Sequence, residues 1–247
     1  MYFEIDGANI NYALDGPEHA PLVVHWNGAN CALGMWDEAI PRINGHFRSL
    51  RFDARGIGSS SPASNPDTDY TFERYVADVN AIVDSLGVEK YHLWSMAWGS
   101  RAAIAYCSKN VGRVNNAVLH DASMAKADPT TQKEGAKVAV EKQISQGIKK
   151  FEKPANYNLN HQPELVPSAL AAAAGFDLSS AINQLSLPVL LVTGDHDPNL
   201  ASSREINKTL VNSSLLVLEN VGHGSVLQRP DLCINSFRQF QLAQKQS

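Results

Sequence analysis

The sequence predicts an α/β fold: a mostly parallel eight-stranded sheet with helices on both faces and a small helical cap. Three observations predict it. Short apolar runs such as Pro21–Trp26 (PLVVHW) and Pro188–Thr193 (PVLLVT) recur along the chain, the pattern of strands buried on both faces. Between such runs, apolar residues return at helical spacing, as in Phe72, Tyr75, Val76, Val79, Ile82, Val83 and Leu86. The stretch Tyr91–Cys107 (YHLWSMAWGSRAAIAYC) passes from a strand pattern into a helix rich in small residues, so strand and helix alternate across a tight turn.

Taken in order, Tyr2–Ile5 and Asn9–Leu14 alternate apolar and polar around Asp6-Gly7, which predicts an opening hairpin. Pro21–Trp26 is the third strand and runs into the loop Asn27-Gly28-Ala29-Asn30. Trp36–Ile43 suits one or two helical turns. Phe47–Phe52 is the fourth strand, followed by the turn-rich Asp53–Pro62 (DARGIGSSSP). After the Phe72–Leu86 helix, Gly87 is a suitable stop. Tyr91–Trp94 is a strand, Trp98–Cys107 a helix, and Val114–His120, Pro188–Thr193 and Leu215–Leu218 are further strands. A helix from Pro230 to Phe240 closes the chain, with Pro230 in its first turn and Leu232, Phe237 and Phe240 facing inward. Residues 124–186 interrupt the alternation. There Val140, Ile144, Ile148 and Phe151 share a helical face, Asn156–Pro167 is polar, and Leu165–Ala174 reads as an alanine-rich helix. The expected organisation is therefore a core of 1–123 and 187–247 with a helical cap of 124–186 over one edge of the sheet.

With 247 residues, 44% of them hydrophobic, the chain is long enough for one α/β domain with a full core. A net charge of −4 offers no basic footprint for nucleic acid. No apolar run reaches the ~20 residues that span a bilayer. The N-terminus carries Asp and Glu where a secretory signal has a basic start and an apolar stretch, so the cytoplasm is the expected location. Cys31, Cys107 and Cys233 are an odd set without metal-ligand spacing, expected as buried small apolar residues.

The chemistry concentrates after the strands, where ligands meet α/β sheets. Ser95-Met96-Ala97-Trp98-Gly99 has the small-x-nucleophile-x-small form of a strand–turn–helix elbow. Position 97, the nucleophile's place, is alanine. Gly194-Asp195-His196-Asp197 follows the next-to-last strand, and Gly222-His223-Gly224 follows the last. The order elbow, acid, histidine is that of a nucleophile–acid–histidine triad.

On these motifs the chain resembles the α/β-hydrolase fold superfamily along nearly its whole length. Leu33–Asp37 (LGMWD) and Phe52–Gly56 (FDARG) are similar to its enol-lactone hydrolase, carboxylesterase and haloperoxidase-like branch. The resemblance implies Asp197 as the acid and His223 as the base. It places the Asp-x-Arg-Gly-x-Gly-x-Ser loop on Asp53–Ser60, and the oxyanion loop on Asn27-Gly28-Ala29, with Asn where the family has His. It assigns the oxyanion donors to the backbone N–H groups of Ala29 and Trp98. Met96 and Trp98 become pocket-lining candidates. His25, Trp26 and Asn30 near the oxyanion loop, and Met124 at the start of the cap, are further pocket candidates. His25 and Trp26 equally suit a filling role at the sheet edge.

Asp195 and Asp121 compete with Asp197 for the acid's role. Ser95 and Ser100 are poor replacements for the missing nucleophile, because Ser95 sits where the elbow needs a small packing residue and Ser100, at the start of the helix, should point back toward the strand. The Asp195-His196-Asp197 cluster lacks further ligands at suitable spacing, so no metal is expected, and no organic cofactor is needed. Gly56-x-Gly58 lacks the third glycine and the helix of a dinucleotide loop.

The function expected on this resemblance is hydrolysis of a small carboxylic ester or lactone through an acyl-enzyme, with little or no acyl transfer by the alanine-bearing sequence. Two explanations of Ala97 stand. Either alanine was introduced for serine, or alanine is native and the protein does something else. An elbow residue holds a strained backbone, which makes sense when it presents a nucleophile and favours the first. The second leaves a small-molecule binding protein or receptor on the same scaffold, or a nucleophile-free enzyme in which the His223–Asp197 pair abstracts a proton.

Overall fold

The computed structural model describes residues 1–124 and 128–246, the side chain of Asp67 excepted. Its strands are β1 (Tyr2–Ile5), β2 (Ala8–Asp15), β3 (Leu22–Trp26), β4 (Arg48–Phe52), β5 (Tyr91–Met96), β6 (Val114–His120), β7 (Val189–Gly194) and β8 (Ser213–Leu218). They form one eight-stranded sheet in the order β1-β2-β4-β3-β5-β6-β7-β8. β2 runs antiparallel to both of its neighbours, β1 and β4. From β4 to β8 every pairing is parallel. β5 extends two residues past Trp94, so Ser95 and Met96 lie inside the strand and only Ala97 makes the turn.

The α-helices are α1 (Ile40–Ile43), α2 (Pro66–Asp69), α3 (Phe72–Ser85), α4 (Trp98–Lys109), α5 (Pro129–Ser145), α6 (Val166–Ala171), α7 (Leu178–Ile182), α8 (Leu200–Thr209), α9 (Ser225–Gln228) and α10 (Pro230–Gln246). The single helix expected over Trp36–Ile43 is instead a 3-10 turn at Leu33–Trp36 followed by α1, with Pro41 in its first turn. Between β6 and β7 the described residues are helical or irregular, with α6 running into a 3-10 turn at Ala172–Ala174. Among the described residues no helix is long and apolar enough to cross a membrane.

Covering both faces of the sheet makes two cores, and the strand's two-residue period sorts side chains between them. Val24, Trp26, Leu93, Ala117 and Leu119 point to the face under α3 and α4. Val23, Trp94, Val118 and Val192 point to the other, where Phe237 of α10 stacks on Trp94 at 4.4 Å between ring centres. Cys31, Cys107 and Cys233 are free and buried.

This alternation corrects the pocket role given to His25 and Trp26. They face opposite sides of β3 and both sides are core. His25 is fully buried between Trp36, at 4.7 Å, and Trp94, at 5.7 Å. Trp26 packs on Phe52 and Tyr106. The helical face read over Val140–Phe151 is also corrected. α5 ends at Ser145, Ile144 is 56% exposed, and the buried residues are Ala139 and Gln143. α5 lies against loop backbone rather than an apolar layer, so its buried face is built from small residues and an amide.

Candidate active site

β5, β6, β7 and β8 all end at one edge of the sheet, and the loops after them carry the site. Ala97 sits between β5 and α4 with φ 54° and ψ −113°, a region an alanine occupies only under strain. Its N–H donates to the His120 carbonyl at 2.8 Å, tying the elbow to the end of β6. The turn is possible because Gly99 lies where any β-carbon would clash with the carbonyl oxygens of Trp26 and Asn27. Trp98 is the first residue of α4, so its N–H is one of the unpaired donors at the helix start.

Ser95 and Ser100 do not face the histidine. Their hydroxyls bond each other at 2.9 Å, and Ser100 Oγ donates to the His120 carbonyl at 2.7 Å. Both hydroxyls serve to seal the elbow.

Asp197 and His223 meet across the β7 and β8 loops, with Asp197 Oδ2 3.0 Å from His223 Nδ1. Asp197 Oδ1 accepts from the Asn199 N–H at 2.9 Å, so the carboxylate is aimed by its own turn. The Asp197 side chain is wholly buried and that of His223 is 20% exposed. Burial opposes a charge on His223, but the Asp197 hydrogen bond, with the charges of Asp121 and Asp197, outweighs it and raises the imidazole pKa. Gln228 braces the same loop twice, donating to the His223 carbonyl and accepting from the Gly222 N–H, each at 3.0 Å.

The competing acids lie elsewhere. Asp195 is exposed and accepts from the Val221 N–H at 3.2 Å. Asp121 is buried behind His223 and accepts from the N–H groups of Gly224 and Ser225. Asp121, Asp197 and His223 each offer a donor atom within 4.8 Å of the others. Asp121 Oδ2 is already taken by two N–H donors and Asp197 Oδ2 by the imidazole.

The Asn27–Asn30 loop is fixed by Asn27. Its amide donates to the Phe52 carbonyl and accepts from Trp36 Nε1, both at 2.8 Å. Ala29 and Asn30 are exposed at the loop's tip, and Asn30 has φ 60°. Met96 lies against Gly28, where its methyl group fills the space of a side chain. Met124 is half-buried, and its N–H is held by Ser202 Oγ at 2.8 Å. Trp98 is half-buried on Phe72 and Tyr75, with Nε1 donating to the Leu170 carbonyl at 3.0 Å.

The segment between β6 and β7 touches these loops at several points. Asn160 Nδ2 donates to the Asn30 carbonyl at 3.2 Å, and the Ala32 N–H donates to the Tyr157 carbonyl at 2.8 Å. Gln143 of α5 donates to the Asn220 carbonyl at 2.6 Å, close to the histidine. Sequence reasoning passed over Gln143, Asn199 and Gln228. Asn199 and Gln228 signal themselves only as amides a few residues from Asp197 and His223, and Gln143, remote in sequence from both, gives no signal.

The strand order and the family comparison agree on the kinship. The chain belongs to the α/β-hydrolase superfamily. The model of the α/β-hydrolase fold matches residues 21–143. The 3-oxoadipate enol-lactonase 1 of Acinetobacter baylyi is 23% identical over 253 residues, covering 95% of this chain and 93% of that one. The crystal structure of the enol-lactonase from Burkholderia xenovorans LB400 superposes with a TM-score of 0.80 at 22% identity, over 98% of this chain and 100% of that chain. The N-formylmaleamic acid deformylase of Pseudomonas putida S16, solved in a serine-to-alanine form, gives a TM-score of 0.75 at 18% identity, over 96% of this chain and 99% of that one. These hydrolases share the α/β-hydrolase architecture with this chain.

Proposed function

We propose that this α/β-hydrolase is built to hydrolyse a small carboxylic ester or lactone, and that Ala97 stands in the place of its nucleophilic serine. The observation that carries the reading is the His223–Asp197 pair, at 3.0 Å, together with an elbow held at φ 54°, all following strands that end on the same side of the sheet. A strained turn and an oriented imidazole are the two parts such a nucleophile needs, and neither serves an alanine.

In the serine-bearing form, the hydroxyl at position 97 attacks the acyl carbon and His223 takes its proton. Asp197 holds the imidazole tautomer and stabilises the imidazolium. The Ala29 and Trp98 N–H groups receive the oxyanion. The leaving alcohol or ring oxygen takes the proton from His223, and water then repeats the sequence to release the acid. Asn30, Met96, Met124 and Trp98 surround the acyl site under the cap of residues 124–186. No organic cofactor or metal enters these steps, and the cytoplasm suits a small soluble substrate. The enol-lactonase relatives support a lactone as readily as an open ester.

The test is Ala97→Ser followed by a panel of short esters and lactones. Turnover in the variant and its absence in the parent support the reading. A folded serine variant inert on the whole panel transfers weight to ligand binding or to proton abstraction by the His223–Asp197 pair.

A further inference from the structure

The carboxylate of Asp121 takes no part in the steps above, yet it is built into the same site. It follows β6 with φ 52°, a conformation costly for a residue with a β-carbon, and is fully buried. Its Oδ2 accepts from the N–H groups of Gly224 at 3.0 Å and Ser225 at 2.8 Å, the two residues that follow His223. Its Oδ1 is buried without a hydrogen-bond partner. Its backbone carbonyl accepts from Asn199 Nδ2 at 3.0 Å, which links it to the turn that aims Asp197.

Two N–H bonds do not require a carboxylate. An asparagine accepts both through one oxygen and avoids the cost of burying a charge with an unused lone-pair set. What an acid adds is charge, and the nearest group able to answer it is the imidazole of His223, within 4.8 Å.

We propose that Asp121 is a positioning residue for His223: it anchors the histidine loop through the backbone and gives the imidazole a second negative neighbour beside Asp197. The inference rests on reading His223 as the site's base. Two carboxylates around one imidazole keep the proton that the base has accepted, and a single one holds it less firmly.

The groups facing Asp121 come from four elements. Asp197 lies on the β7 loop, His223 on the β8 loop, His120 on β6 and Cys233 on α10. Burial lowers the His120 pKa to about 3 and raises the Cys233 thiol well above its ordinary value, so both stay neutral near pH 7. Burial, then the Asp197 charge, raise Asp121 to about 7, against the opposing pull of His223 and the Ser225 N–H. Asp121 and His223 therefore titrate as a coupled pair.

The experiment is a histidine-selective NMR titration of the protein with Ala97 in place and no substrate added. His223→Gln assigns the His223 signal by its loss. In the unmodified protein the His223 curve should show two inflections, one its own and one from Asp121. In Asp121→Asn, which keeps the acceptor and removes the charge, the second inflection should vanish and the His223 pKa should fall by about 1–3 units. A single-proton His223 curve in the unmodified protein, or an unmoved His223 pKa in a folded Asp121→Asn, overturns the proposal. If Asp121→Asn does not fold, the unmodified curve decides alone. In the Ala97→Ser background the acidic limb of kcat/KM against pH should move down by the same shift. An inert Ala97→Ser protein defeats the hydrolase reading and leaves the NMR result standing, so the two failures are told apart.

Discussion

Gly135 of α5 lies directly against the carbonyl oxygen of His196, so close that a β-carbon at position 135 would clash with it. The next residue, Ala136, lies as close to Gly222, the residue before His223. The helix therefore bears on the acid loop and the histidine loop together, with Gln143 bonded to the Asn220 carbonyl at its far end. Gly135→Ala should push α5 away or displace the Asp197 turn, costing about 1–3 kcal/mol, the usual penalty of overpacking. Thermal melting should fall by several degrees, whereas Gly147→Ala, with open space around its β-carbon position but φ 77°, reports backbone strain alone.

Arg55 and Asp78 form a buried bidentate pair at 2.7 and 2.8 Å, and the Arg55 side chain is fully buried. Arg55 also donates to the Ile5 carbonyl at 3.0 Å, which ties the loop after β4 to the first hairpin. Asp78→Ala leaves an uncompensated guanidinium in the core. The expected loss is about 3–5 kcal/mol, read as a lower urea midpoint with little change in slope. The exposed pair of Lys208 and Glu205, at 2.8 Å, should contribute next to nothing by comparison.

The sheet was legible because its strands are apolar runs punctuated by turn residues; Asp197 and His223 were marked by their place after strands only together with the family resemblance, since Asp121 and Asp195 follow strands as well. The sequence does not show which way a side chain points across a doubly covered strand. His25 and Trp26 look alike as neighbours of the oxyanion loop, and both proved to be core because each sheet face is roofed. Nor does apolar periodicity report a helix that docks on backbone. α5 buries Ala139 and Gln143 and leaves Ile144 outside, the reverse of what a hydrophobic stripe predicts. Asp121 was readable only as a spare acid, since its bonds to Gly224 and Ser225 span more than 100 residues.

Acid sensitivity follows from the two fully buried histidines. Burial, with some help from the Arg51 charge at His25, lowers His25 to about 3, and burial alone lowers His120 to about 3. Each stays neutral in the folded protein and binds a proton once unfolded. Their stabilisation is present above about pH 6.5 and is lost as pH falls toward 3. Asp121 acts in the opposite sense. With its folded pKa raised to about 7, its contribution is full below the ordinary carboxylate range and fades as pH rises through 7. His25→Leu should therefore flatten the fall in stability between about pH 5.5 and 4 by about 1.4 kcal/mol per pH unit, one proton's worth. Denaturant midpoints measured across that range check it, and an unchanged slope means that His25 is protonated in the folded state.

The sharpest expectation concerns position 97. The parent protein should show at most the residual catalysis of oxyanion donors and binding, roughly 10³–10⁴-fold over water. Ala97→Ser should raise hydrolysis of a short ester such as p-nitrophenyl acetate by several further orders of magnitude. Serine is not β-branched, so it meets φ 54° with the same strain the alanine already bears. The imidazole is already held at 3.0 Å by Asp197, so the new hydroxyl meets an oriented base. Adding His223→Ala to the serine variant should abolish the gain, since the hydroxyl then has no proton acceptor. Adding Asp197→Asn should lower it by about 10⁴-fold, through loss of the tautomer it fixes. A stopped-flow burst of p-nitrophenol equal to the enzyme concentration, present with serine and absent with alanine, would show the acyl-enzyme directly. A serine variant that folds normally and gives neither burst nor turnover on esters and lactones would remove acyl transfer from this site, and the chemical fate of any bound ligand would then separate a receptor from a proton-abstracting enzyme.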